Sequence, residues 1–151
     1  MESIEESMKM IKKPMTAAAA FLLLLALGAC GEPPPEELLE KSRKVPELYE
    51  FGSLYVPLYQ EAMEDSNWTP IRENIREINR LKQQVARVGA PKHLTLQKQK
   101  WESNQRLFSR AVDNLSVVIQ WRGEEAARRQ EEIAEGVQRV YDWWYMLVDM
   151  L

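Results

Sequence analysis

Four long stretches of the chain place apolar residues at alternating spacings of three and four, and proline or glycine punctuates the joins between them. The first, about 46–65, opens on Pro46, suited to the first helical position, and carries Leu48, Phe51, Tyr55, Leu58 and Ala62 as one stripe. Tyr49, Val56, Tyr59 and Met63 widen that face. Pro57 lies inside the stretch, so a kink or short break is expected around Ser53 to Pro57. The second opens with Thr69-Pro70, a capping residue before a proline, and continues through Ile71, Ile75, Ile78, Leu81, Val85 and Val88 until Gly89-Ala90-Pro91 ends it. Its other faces carry Arg72, Glu73, Arg76, Glu77, Arg80 and Arg87, a solvated charged surface with opposite charges three residues apart at Glu73–Arg76 and Glu77–Arg80.

The third stretch runs from near Thr95 to about Arg122. Its seam reads Leu94, Trp101, Phe108 and Leu115 at one heptad position and Gln97, Asn104, Ala111 and Val118 at the other, with Asn104 read as a buried amide that sets register. The fourth runs from about Glu124 to Leu151 and turns Ala126, Gln130, Ile133, Val137, Val140, Trp144, Leu147 and Leu151 inward. Four such helices joined by short turns predict an all-α fold over 46–151: an antiparallel up-down-up-down four-helix bundle with a kinked first helix. In that topology the start of the first helix and the end of the fourth share a pole.

Packing alone must hold this fold. With one cysteine and one histidine, Cys30 and His93, an internal disulfide and a Cys/His metal cage are both excluded, and no metal or other cofactor is expected. His93 falls in a turn, away from any seam. The net charge of −3 provides no basic footprint for nucleic acid.

Residues 1–29 have the organisation of an export leader. Met8 is a better start than Met1, because Lys9, Lys12 and Lys13 then give a positive opening free of Glu2, Glu5 and Glu6. The apolar run Ala17 to Leu27 falls well short of the ~20 residues needed to span a bilayer. Leu27-Gly28-Ala29-Cys30 closes the run and resembles a bacterial lipobox. The resemblance implies cleavage before Cys30 and acylation of that residue, so that lipid ties the body to a membrane; one acyl chain holds weakly and two or three hold firmly, at ~0.8 kcal/mol per buried CH₂. Position 31 is Gly, where aspartate is associated with inner-membrane retention in enteric bacteria, which implies an outer-membrane lipoprotein facing the periplasm. Residues 30–45 then form the anchor and a proline-rich spacer, stiff over Gly31 to Pro35 and with a helical turn or two around Leu38 and Leu39.

After Val137 the last helix stops being amphipathic. Tyr141, Trp143, Trp144, Tyr145, Met146 and Val148 leave apolar or aromatic side chains nearly all round, and this end is the candidate interaction surface. The shared pole would bring it to the membrane, where aromatic rings favour the headgroup region. The competing expectation is that the rings pack beneath the spacer and residues 36–45.

The helix layout, with Val56-Pro57-Leu58-Tyr59 early and Val140-Tyr141-Asp142-Trp143-Trp144 late, loosely resembles periplasmic bundles of the cytochrome c′ type and their b-type relatives. In haem-binding members a last-helix histidine holds the iron; here Tyr141 stands at that point, and a Cys-x-x-Cys-His attachment is absent. The resemblance therefore implies a scaffold without covalent haem. A strained nucleophile turn, a Glu-x-x-His pair and a glycine-rich phosphate loop are missing too, and the glutamates of the last helix belong to an exposed face. Met63, Met146 and Met150 could in principle offer thioethers to Cu(I), but the topology separates Met63 from the other two. Two classes remain: a non-catalytic lipoprotein that docks an envelope protein or a second copy of itself, and a small-ligand-binding bundle in the space Pro57 would open.

Overall fold

The computed structural model describes Gly31 and residues 33–151, and every regular element among them is helical. In chain order these are α1 (Pro35–Ser42), α2 (Pro46–Asp65), α3 (Thr69–Arg87), a 3-10 segment (Lys92–Gln97), α4 (Lys98–Val118), α5 (Gly123–Arg128) and α6 (Gln130–Asp149). Residues Pro34–Leu151 make up one compact unit. The leader, the lipobox and Cys30 lie outside the described residues. No helix among those described is long and apolar enough to cross a membrane.

The periodic stripes become the interior. Leu48, Phe51, Tyr55 and Ala62 of α2, Ile71, Ile78, Leu81 and Val85 of α3, Trp101, Phe108 and Leu115 of α4, and Ile133, Val137, Val140, Trp144 and Leu147 of α6 are all buried. Phe51 and Phe108 meet edge to face at 4.8 Å in the middle, a geometry that sets a ring's positive edge against its neighbour's negative face. α2 packs on α3 and α6, and α4 packs on α3 and α6. Asn79 of α3 donates to Ser116 of α4, Lys82 pairs with Asp113, and Gln105 donates to the Val85 and Val88 carbonyls, so these two helices run in opposite directions. Trp144 donates to the Leu48 carbonyl and Tyr55 to that of Val137, which gives the same result for α2 and α6.

Five local expectations change. α2 continues unbroken from Pro46 to Asp65, with Pro57 on its exposed face, and stops where Ser66 takes a left-handed conformation at φ 50°. At the start of α3 the capping oxygen comes from Asn67, which accepts from the Thr69 N–H, because Thr69 is already helical. α3 closes on Val88 in an extended conformation, and Gly89 is not left-handed; the positive-φ glycine is Gly123, at φ 55°, beyond the end of α4. The 3-10 segment takes up Thr95 to Gln97, so α4 begins later than expected. The fourth stretch divides at Arg129, whose guanidinium lies over the Trp121 ring and pairs with Glu125 of α5 and Glu132 of α6.

The expected spacer is also shorter. α1 packs on α2 and α6, with Leu38, Ser42 and Val45 buried, so residues 35–45 belong to the body. Lys41 donates to the Asp149 carbonyl and Lys44 to that of Leu151, which joins the start of α2 to the end of α6 at one pole. Arg72, expected on the solvated face, is half-buried and donates to the Ile119 and Trp121 carbonyls, satisfying acceptors that the end of α4 leaves open.

Candidate contact surface on the last helix

The aromatic end of α6 divides into an inner and an outer part. Tyr141 is buried and stacks on Tyr59 with centroids 4.3 Å apart and planes 8° from parallel. Trp144 is 1% exposed; its indole N–H reaches the Leu48 carbonyl at 3.0 Å and its ring lies over Gly52, where any Cβ would overlap it. Leu39 of α1 lies close to the same glycine. Val148 is fully buried. These three residues of the six expected at the surface are therefore interior, because α1 and α2 close over them.

Trp143 and Tyr145 are half-buried, and Met146 is 38% exposed. Helical spacing assigns them to different flanks. Trp143 lies seven residues from both Gly136, whose neighbour is Val118 of α4, and Met150, whose sulfur accepts from Asn104 of α4. Tyr145 lies seven residues from Gln138, which bonds Tyr59 of α2. The outward remainder of the expected surface is thus Trp143 and Met146 toward α4 or solvent, and Tyr145 toward α2.

Along the α4 flank a groove of about 300 Å³ opens to solvent, lined by Ala111, Val117, Val118 and Gly136 with Glu132 and Arg139 at its rim. Val117 is 62% exposed there. Beside it Gly136 lets α6 approach α4 closely: a Cβ there would lie 3.1 Å from the Val118 side chain. Sequence reading passed over it, although Gly136 within an otherwise continuous helical stretch is the signal that could have found it.

On the opposite flank the polar groups are matched. Tyr55 donates to the Val137 carbonyl at 2.7 Å, Tyr59 to the Gln138 side-chain oxygen, and Gln138 to Asp142. Burial, reinforced by Tyr59 and Asp142 nearby, pushes the Tyr55 hydroxyl well above the usual tyrosine pKa. It is held as a neutral donor, the form in which it ties α2 to α6.

Among the described residues no group of three or more His, Cys, Asp or Glu could hold a metal ion. His93 is exposed on the 3-10 segment. Met63 lies at the Ser66 end of α2, at the opposite pole from Met150. Asn104 is buried against the Met150 sulfur, in keeping with a structural amide on the α4 seam. Comparison of the chain with family models, with curated proteins and with solved structures gives no match.

Proposed function

We propose that this chain is a non-catalytic bacterial lipoprotein, anchored through acylated Cys30 at the outer membrane, whose helical body supports or docks another envelope component in the periplasm. The four long helices form the up-down-up-down bundle, with α1 as a brace across α2 and α6. The observation that carries this reading is the order along the chain: basic opening, short apolar run, Leu27-Gly28-Ala29-Cys30, prolines, and then a compact unit from Pro34. In the sequence only Gly31, Glu32 and Pro33 stand between the cysteine and the start of that unit.

Mass spectrometry of the protein made in a bacterial host tests the anchor. The expected product begins at Cys30 with acyl chains attached, and Cys30→Ser abolishes both cleavage and acylation. A chain that keeps residues 1–29 and a free thiol would overturn the reading. The docking part is tested separately by retrieval from envelope membranes, comparing the intact chain with Trp143→Ser combined with Met146→Ser. Partners retained by the double variant would remove this face as the docking surface; loss of self-association alone would make the partner a second copy of the chain.

A further inference from the structure

Charge is segregated along the body. Between Glu77 and Asp113 the sequence holds eight lysines and arginines and one acid, Glu102, whereas the rest of Pro34–Leu151 holds nine bases and eighteen acids. The net charge of −3 hides this division. The end of α3, the 3-10 segment and the start of α4 bring the basic stretch to the pole where Lys44 meets the Leu151 carbonyl. Arg80, Lys82 and Lys98 have acidic partners in Glu77, Asp113 and Glu102, but Arg87, Lys92 and Lys100 form no ion pair among the described residues.

Leu96 stands within this stretch and is 101% exposed, the most exposed large apolar residue among those described. Lys92 and His93 precede it and Lys98 and Lys100 follow it, all exposed, while Leu94 is buried and pins the turn to the body. A single exposed leucine is ordinary on a protein surface. A fully exposed one on a fixed turn, flanked along the chain by the exposed Lys92, Lys98 and Lys100, matches two layers of a bilayer face at once: phosphate at headgroup depth and hydrocarbon just beneath.

We infer that the 3-10 turn is a membrane-docking tip for an anionic lipid surface, with Leu96 entering the acyl boundary and Lys92, Lys98 and Lys100 meeting lipid phosphates. Phosphate on a nucleic acid would satisfy the lysines and leave Leu96 in water, so the leucine is what favours lipid. The contact is independent of acylation at Cys30, and it would orient a body that a lipid tether alone leaves free to turn. Each lysine near such a surface strengthens binding about fivefold, and the contact weakens with salt.

The test uses the full chain carrying Cys30→Ser, with Leu96→Cys labelled by a polarity-sensitive fluorophore; a second sample carries the label at Asn67→Cys, at the opposite pole. The apolar run Ala17 to Leu27 brings both proteins to vesicles whatever their charge, so the position of the label decides the outcome. On phosphatidylglycerol-rich vesicles the label at 96 shifts to the blue and is quenched by brominated acyl chains, whereas the label at 67 does not respond. Neutral phosphatidylcholine vesicles and the triple variant Lys92→Gln, Lys98→Gln, Lys100→Gln each remove the shift at 96 although the chain stays bound through its apolar run, and free inorganic phosphate does not produce it. A label at 96 that stays in water while the chain is bound to anionic vesicles overturns the inference. So does a shift equally strong on neutral vesicles, or one produced only by a lipid-free polyanion. Acylation of Cys30 is read by mass and takes no part in this signal, so failure here leaves the anchor standing.

Discussion

The two flanks of α6 are built by opposite means. Toward α2 the helix presents rings, and Tyr141 and Trp144 find Tyr59, the Leu48 carbonyl and the bare backbone of Gly52. Toward α4 it presents Gly136, and a groove remains beside Ala111 and Val118. Adjacent residues in the chain, Trp143 and Trp144, thus have different fates. Apolar content says how much surface must be covered; the neighbouring backbone decides which side is covered.

The largest effect that could break this contrast is the removal of the buried indole. Trp144→Ala should lose about 3–5 kcal/mol of stability in denaturant unfolding, against no more than about 1 kcal/mol for Trp143→Ala. Similar losses for the two would erase the distinction between flanks. Next, Gly52→Ala should destabilise by about 1–3 kcal/mol, even though alanine is the better helix former by about 1 kcal/mol, because its methyl group meets the rigid, buried Trp144 ring and the Leu39 side chain. A neutral or stabilising result would mean the indole has room to move.

Tyr55→Phe should cost about 1 kcal/mol through the lost bond to Val137. It also carries a pH signature. The folded-state pKa of Tyr55 is raised above its ordinary value of 10.0, so its contribution is present below that pH and is lost as pH rises through the alkaline range above it. The alkaline fall in stability should be shallower in Tyr55→Phe than in the parent; identical slopes would place the alkaline sensitivity elsewhere. The smallest effect belongs to the open flank. Gly136→Ala puts a methyl group 3.1 Å from a Val118 side chain that is only half-buried and can shift, so the helical gain prevails and stability rises by about 0.5 kcal/mol. A loss would show that the α4 flank is as tightly fitted as the other.

The helices and most of their inward faces were legible in the sequence because spacing reports them directly: Leu48, Phe51, Ile78, Trp101, Phe108, Leu115 and Val137 fall inside as the stripes require. What escaped depends on contacts between distant segments. The helical tendency around Leu38 and Leu39 could be read, but its seat on α2 and α6 could not, since it rests on Gly52 and on two C-terminal carbonyls that accept from Lys41 and Lys44. Gln105 is likewise buried by the Val85 and Val88 carbonyls, which sequence periodicity does not describe. At the division the Arg129 guanidinium lies over a ring eight residues away, and neither glycine nor proline stands there to announce it. Of the six residues of α6 that composition marks as a contact surface, only three face outward, since the covering elements come from the beginning of the body.

α1 has a mechanical consequence. It doubles back against α2 before the long helices begin, so tension drawn through Pro34 loads this short element first. Its grip consists of Leu38, Ser42 and Val45 in the interior and two lysine bonds, far less than what holds any long helix. Under such a pull α1 peels away while the remaining helices keep their shape, uncovering the Trp144 ring. An element so lightly held, between Pro34 and the long helices, acts as a fuse.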